Sequence, residues 1–146
     1  LGDLNGDGFD DFVAGAPQNG DGAGGNKNGA AYIFFGSSTI SGTKKLGGGQ
    51  SADVTVLGKA AADRLGEDVS SVGDVNADGI PDILVGAGYN DDCANNCGAA
   101  YIFFGAKNLS GTKDAGNSNE DVRILGKSAS DYFGRFLGGG RNNRGP

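Results

Sequence analysis

Asp3, Asn5, Asp7 and Asp11 are spaced around Gly8, and Asp74, Asn76, Asp78 and Asp82 repeat the same spacing around Gly79, 71 positions further along the chain. Oxygen-bearing side chains at positions 1, 3, 5 and 9 of a curled loop, with the backbone carbonyl at position 7, suit a hard divalent cation, which takes about six to eight oxygens at roughly 2.3–2.6 Å. The expected ion is calcium, at two sites. Asp3, Asn5, Asp7, the Phe9 carbonyl and Asp11 would hold one; Asp74, Asn76, Asp78, the Ile80 carbonyl and Asp82 would hold the other. Gly8 and Gly79 sit where the loop needs a positive φ, which glycine adopts cheaply. Three carboxylates crowded into one loop repel one another without the ion, so the expected role of calcium is structural first.

Two other readings compete for these residues. Asp, Asn and Gly also cluster in ordinary turns, as at Asn19-Gly20-Asp21-Gly22, but two copies in phase with matching flanks go beyond turn preference. An EF-hand loop shares positions 1 to 9, but it needs a bidentate Glu at position 12 and a helix beyond. Position 12 is Ala14 in one copy and Val85 in the other, so the EF-hand is rejected.

The elements that must position these loops follow at once in the chain. Phe12-Val13-Ala14-Gly15-Ala16-Pro17 and Ile83-Leu84-Val85-Gly86-Ala87 are too short and Gly-rich for helices but suit buried strands. Of the 18 acidic residues only Glu67 and Glu120 are Glu, and 30 glycines accompany just three prolines. Asp suits turns and oxygen cages better than helix interiors, so the composition points to an all-β chain of short strands and tight turns.

The remainder of the chain also repeats. Gly29-Ala30-Ala31-Tyr32-Ile33-Phe34-Phe35-Gly36 returns as Gly98-Ala99-Ala100-Tyr101-Ile102-Phe103-Phe104-Gly105, Ser41-Gly42-Thr43-Lys44 as Ser110-Gly111-Thr112-Lys113, and Val56-Leu57-Gly58-Lys59 as Ile124-Leu125-Gly126-Lys127. Strand candidates in the second unit are residues 69–75, 82–88, 99–104 and 121–126. Four antiparallel strands per unit make a β-propeller blade.

On these residues the sequence resembles the FG-GAP repeat family, known from the integrin α-subunit propeller and from secreted microbial proteins. The resemblance rests on Phe133-Gly134 and its equivalent Leu65-Gly66, both metal loops, Gly15-Ala16-Pro17 with its variant Gly86-Ala87-Gly88, and the strand that follows. It implies four-stranded antiparallel blades with calcium between the first two strands, on one face of the propeller. It also implies partners on the opposite face, built here from residues 18–28 and 89–97 with the connections near Asp63 and Asp131.

The expected organisation is a first blade over residues 1–64 lacking its innermost strand and a second over 65–130. Residues 131–146 then begin a third blade or supply a strand to a neighbour. Residues 141–146 align with the loop starting at Gly73-Asp74 but carry no carboxylate, so no third calcium site is encoded. A propeller commonly needs four to eight blades, so the chain is read as an incomplete propeller or an assembling fragment that joins further blades or self-associates.

A net charge of -6 leaves no basic footprint for nucleic acid, and no apolar run is long enough to span a membrane. Cys93 and Cys97 share one loop with no His in the chain to complete a zinc site. A local disulfide is the favoured reading, free thiols the alternative, and a disulfide fits an extracellular or cell-surface setting. The Asn108-Leu109-Ser110 sequon has little weight by itself. The lack of His also excludes Ser-His-Asp and Cys-His catalysis, and no catalytic residue is assigned. Asp63 and Asp131 read as turn caps.

The functional expectation is an extracellular calcium-binding propeller module, not an enzyme, serving adhesion, protein–protein or glycan binding, or self-assembly. The alternatives are a non-catalytic accessory domain of a secreted carbohydrate-active enzyme or other hydrolase, and a structural subunit of a calcium-dependent fibre or sheath.

Overall fold

The computed structural model describes residues 1–20, 26–46 and 51–139. Its strands are β1 (Phe12–Ala16), β2 (Ala30–Phe34), β3 (Val54–Leu57), β4 (Val69–Gly73), β5 (Asp82–Ala87), β6 (Ala99–Phe103), β7 (Gly111–Asp114) and β8 (Val122–Leu125). They form two four-stranded sheets, ordered β1-β2-β3-β7 and β4-β5-β6-β8. The second is an antiparallel meander throughout. The chain is all-β, and the sheets are partial propeller blades that do not close on themselves.

The two repeats fold in the same register. Gly15 opposes Ala31 as Gly86 opposes Ala100, and Ala31 opposes Val56 as Ala100 opposes Ile124. Strand β2 is buried along its whole length, as a strand covered on both faces must be. One apolar core runs through both sheets, joining Ile33, Val54 and Val56 of the first to Ile83, Val85, Tyr101 and Phe103 of the second.

The first sheet departs from the expected pattern. Its fourth strand is β7, which lies within the second repeat and adds to β3 in parallel, pairing Val54 with Gly111 and Leu57 with Asp114. The segment recurs in the sequence, but Gly-Thr-Lys-Asp has no apolar alternation to mark a strand. Its pairing comes from the free edge of β3, which offers unpaired backbone groups to any neighbouring segment.

Successive repeats interlock at glycine. A Cβ on Gly15 would strike the carbonyl oxygen of Gly66, and one on Gly86 would strike that of Gly134. Gly66 and Gly134 themselves turn with φ of 81°. The Phe-Gly or Leu-Gly turn of each repeat therefore seats directly on the Gly-Ala strand of the repeat before it. Residues 131–139 thus pack back onto the second sheet, with Phe133 bridged to Gly98 and the Leu137 N–H donating to Asp68 Oδ2 at 2.7 Å. The rest of the expected third-blade segment, 140–146, lies outside the described residues, as does its missing metal loop.

Gly86→Ala is expected to destabilise the chain by about 1–3 kcal/mol, because a methyl group must displace backbone rather than a flexible side chain. Urea denaturation of the variant against wild type measures it; equal stability would disprove the interlock.

Candidate metal centre

Each acidic loop is curled by its own side chains. Asp3 Oδ1 accepts from the Asp7 N–H at 2.9 Å and Asp3 Oδ2 from the Gly8 N–H at 2.8 Å. Asn5 Oδ1 accepts from the same Asp7 N–H at 3.0 Å, and Asp7 Oδ1 from the Phe9 N–H at 2.9 Å. The second loop repeats every bond: Asp74 accepts from Asp78 and Gly79, Asn76 from Asp78, and Asp78 from Ile80, at 2.8–3.1 Å. In both loops the Asn amide donates to the Asp at position 5, at 2.8 Å. Gly8 and Gly79 have φ of 96° and 92°, and nothing would contact a Cβ at either, so glycine is there for its backbone conformation rather than for space.

The last acid of each loop has a different setting. Asp11 is buried and takes the Leu4 N–H on Oδ2 and the Gly36 N–H on Oδ1, both at 2.8 Å. Asp82 does the same with Val75 at 2.7 Å and Gly105 at 3.0 Å. These carboxylates tie the loop to the strand pair behind it. Burial pushes the Asp11 carboxyl above the ordinary aspartate value, against the Gly36 and Leu4 N–H groups that favour its charge.

The structure thus places Asp3, Asn5 and Asp7 together, and Asp74, Asn76 and Asp78 together, with Asp11 and Asp82 at the loop bases. Among the described residues, no three His, Cys, Asp or Glu side chains gather around one point. The third side chain of each curl is an Asn, and the base carboxylate is turned to the backbone. The donor chemistry still fits a hard cation, because a carboxylate oxygen that accepts one N–H keeps a further lone pair.

The opposite ends of the strands carry the loops that sequence placed there. Asp63 Oδ2 caps the Ala60 N–H at 3.1 Å and also accepts from the Asn90 amide at 3.1 Å. Asp131 caps the Lys127 and Ser128 N–H groups at 3.1 and 2.7 Å. Both are turn caps. Cys93 and Cys97 form a disulfide, and residues 21–25 of the companion loop lie outside the described residues.

This end also holds a cluster that sequence reading missed. The Arg64 guanidinium lies 4.0 Å from the centre of the Tyr89 ring, and Arg135 stands near Tyr89, Tyr132 and Phe136 at 5.5–5.9 Å. Tyr89 and Tyr132 meet edge to face at 5.3 Å, and Phe136 is 84% exposed. Tyr132 and Arg64 hold equivalent places in the repeat, the only signal that could have linked them.

Two partial blades with carboxylate loops at one end and aromatic loops at the other define a β-propeller repeat protein. Within that class, the chain belongs to the FG-GAP repeat family, whose model matches residues 1–34 and 66–103. It is 35% identical to integrin alpha-6 of Gallus gallus over 139 residues, covering 94% of this chain and 11% of that protein. Identity to integrin alpha-6 of Homo sapiens is 33% over 137 residues, covering 94% and 10%. Identity to integrin alpha-PS5 of Drosophila melanogaster is 34% over 140 residues, covering 94% and 12%. The chain therefore spans about a tenth of the length of these relatives.

Burial pushes the Asp63 carboxyl up to about 6 from 3.8; Asp92 and Asp91 push the same way, and Asn90 and the Ala60 N–H oppose. A carboxyl raised on folding contributes full stability at low pH, and the contribution falls as pH rises from about 4 to about 6. Asp63→Asn should therefore gain stability relative to wild type between pH 4 and pH 7, by an amount of order 2 kcal/mol. Paired thermal melts across that range check it; a gap independent of pH would refute the assignment.

Proposed function

We propose that this chain is a calcium-stabilised, extracellular FG-GAP propeller module that presents its aromatic loop end to a partner in adhesion or protein–protein binding. The observation that carries the metal half is the duplicated loop: two curls, identical bond for bond, each gather two carboxylates and an amide oxygen at an exposed turn. In this reading Asp3, Asn5, Asp7, the Phe9 carbonyl and Asp11 serve one calcium, and Asp74, Asn76, Asp78, the Ile80 carbonyl and Asp82 serve the other. The ions are structural, offsetting repulsion among the carboxylates and stiffening the turn into β1 and β5.

The binding half rests on Arg64, Tyr89, Tyr132, Arg135 and Phe136, because Tyr and Arg on a rigid scaffold are the side chains that dominate protein interfaces. The integrin alpha relatives support an adhesive or cell-surface role, and the Cys93–Cys97 disulfide supports an oxidising compartment. No catalytic role is proposed for this chain. Among the described residues no helix is long and apolar enough to cross a membrane.

Asp78→Ala is the direct test of the metal half. It should lower calcium affinity by about tenfold or more in titration calorimetry, and it should remove much of the rise in melting temperature that calcium gives wild type over chelator. A wild-type melting temperature that is the same in calcium and in chelator would end the metal reading.

A further inference from the structure

The Cys93–Cys97 disulfide closes a loop that the surrounding structure already holds in place. On one side the loop meets the connection that leaves β3. The Arg64 guanidinium lies 4.0 Å from the centre of the Tyr89 ring, the Asn90 amide donates to Asp63 Oδ2 at 3.1 Å, and Asp92 pairs with Lys59 at 2.9 Å. On the other side it meets the connection that leaves β8, whose Ser130, Tyr132 and Phe133 N–H groups donate to the Asn95, Asn96 and Cys97 carbonyls at 2.9–3.1 Å. Only three residues separate the two cysteines. A cross-link that closes so short a loop constrains the unfolded chain less than one closing a long loop, so the fold leans on it little.

The first repeat makes a similar tie without sulfur. Asn28 holds the place of Cys97, directly before the repeated Gly-Ala-Ala-Tyr strand, and Gly58 holds that of Gly126. The buried Asn28 amide donates to the Gly58 carbonyl at 2.9 Å. In the second repeat Cys93 Sγ lies 3.0 Å from the Gly126 carbonyl oxygen and Cys97 Sγ 3.5 Å from that of Asn90. A thiol is a weak donor, so each sulfur, once reduced, already has an acceptor within reach. The two sulfurs differ in setting. Cys93 is exposed, whereas Cys97 is completely buried and its sulfur accepts the Cys93 and Ala94 N–H groups, both at 3.3 Å. Thiolate attack needs an accessible sulfur and runs faster when the departing thiolate is stabilised.

We propose that Cys93–Cys97 is a thiol–disulfide exchange site that works in the folded chain, with a dithiol as its reductant. One thiolate of the dithiol attacks Cys93 Sγ and forms a mixed disulfide. The Cys93–Cys97 bond breaks, and its electron pair leaves on Cys97 Sγ, where the Cys93 and Ala94 N–H groups meet the charge. The second thiolate of the dithiol then attacks its own partner sulfur in the mixed disulfide and expels the Cys93 thiolate. The dithiol is oxidised to its disulfide, and its two protons end on the two cysteines. Exchange with an oxidised dithiol runs the same steps backwards and restores the bond. This goes beyond the calcium and partner-binding reading and requires neither.

The folded, oxidised chain, treated with excess reduced glutathione and quenched with acid, should carry glutathione on Cys93 in preference to Cys97 by about tenfold or more in peptide mass spectra. Dithiothreitol should reduce the bond well below the melting transition, and the reduced chain should stay folded, with its melting temperature lowered by about 10 °C or less. Replacing the reductant with oxidised glutathione should restore the original melting temperature. Cys97→Ser leaves Cys93 as a lone thiol and should hold the glutathione adduct stably under oxidised glutathione, whereas folded Cys93→Ser should form none. A bond that dithiothreitol reduces only as the chain unfolds would overturn the proposal. So would a chain that unfolds on reduction, or glutathione found on Cys97 as readily as on Cys93.

Discussion

A four-stranded blade has two broad faces and cannot hide both by itself, so everything in this chain depends on one sheet lying against the next. The core belongs to neither repeat alone: Ile33, Val54 and Val56 from one sheet meet Ile83, Val85, Tyr101 and Phe103 from the other. Burial on this scale is the main favourable contribution to folding, at about 25 cal/mol per Å² of apolar surface. It explains why the strands inside the sheets, β2, β5 and β6, are mostly buried while β8, at the end of its sheet, exposes all four of its residues.

Close stacking places demands on the backbone. Where the turn of one repeat seats on the strand of the previous one, Gly15 and Gly86 must lack a Cβ, and Gly66 and Gly134 must turn left-handed. The two halves of the family motif, far apart in sequence, are thus one contact in space. Asp11 and Asp82 fix the other end of the same strands, each holding two backbone N–H groups that would otherwise be unsatisfied near the core. The acidic loops are consequently mounted on rigid supports, although the loops themselves are exposed.

Alternation of antiparallel strands separates the chemistry into two ends. Carboxylates and the Asn amides collect where β1 and β5 begin; Arg64, Tyr89, Tyr132 and Arg135 collect where β5 and β8 finish. The separation needs no long-range design, because each connection simply emerges at the end opposite the previous one. It puts the acidic turns at one end of the strands and the aromatic loops at the other.

The curl of each acidic loop was legible in the chain because all its parts lie within nine positions, and the duplicated strands were legible because their apolar residues repeat in phase. The same holds for the turn-capping Asp63 and Asp131 and for the Cys93–Cys97 bridge, each of which works within a few residues. Three features waited for the tertiary structure. Strand β7 joins the first sheet because a distant edge offers it hydrogen bonds, not because Gly111-Thr112-Lys113-Asp114 favours a strand. Asp11 and Asp82 turn toward backbone N–H groups of residues 25 and 23 positions away as well as toward the loop, which spacing inside the motif cannot show. The arginine and tyrosine cluster forms where turns from successive repeats converge. Local pattern determined the composition of each repeat; the stacking of one repeat on another decided which described strands pair across repeats, as β7 does with β3.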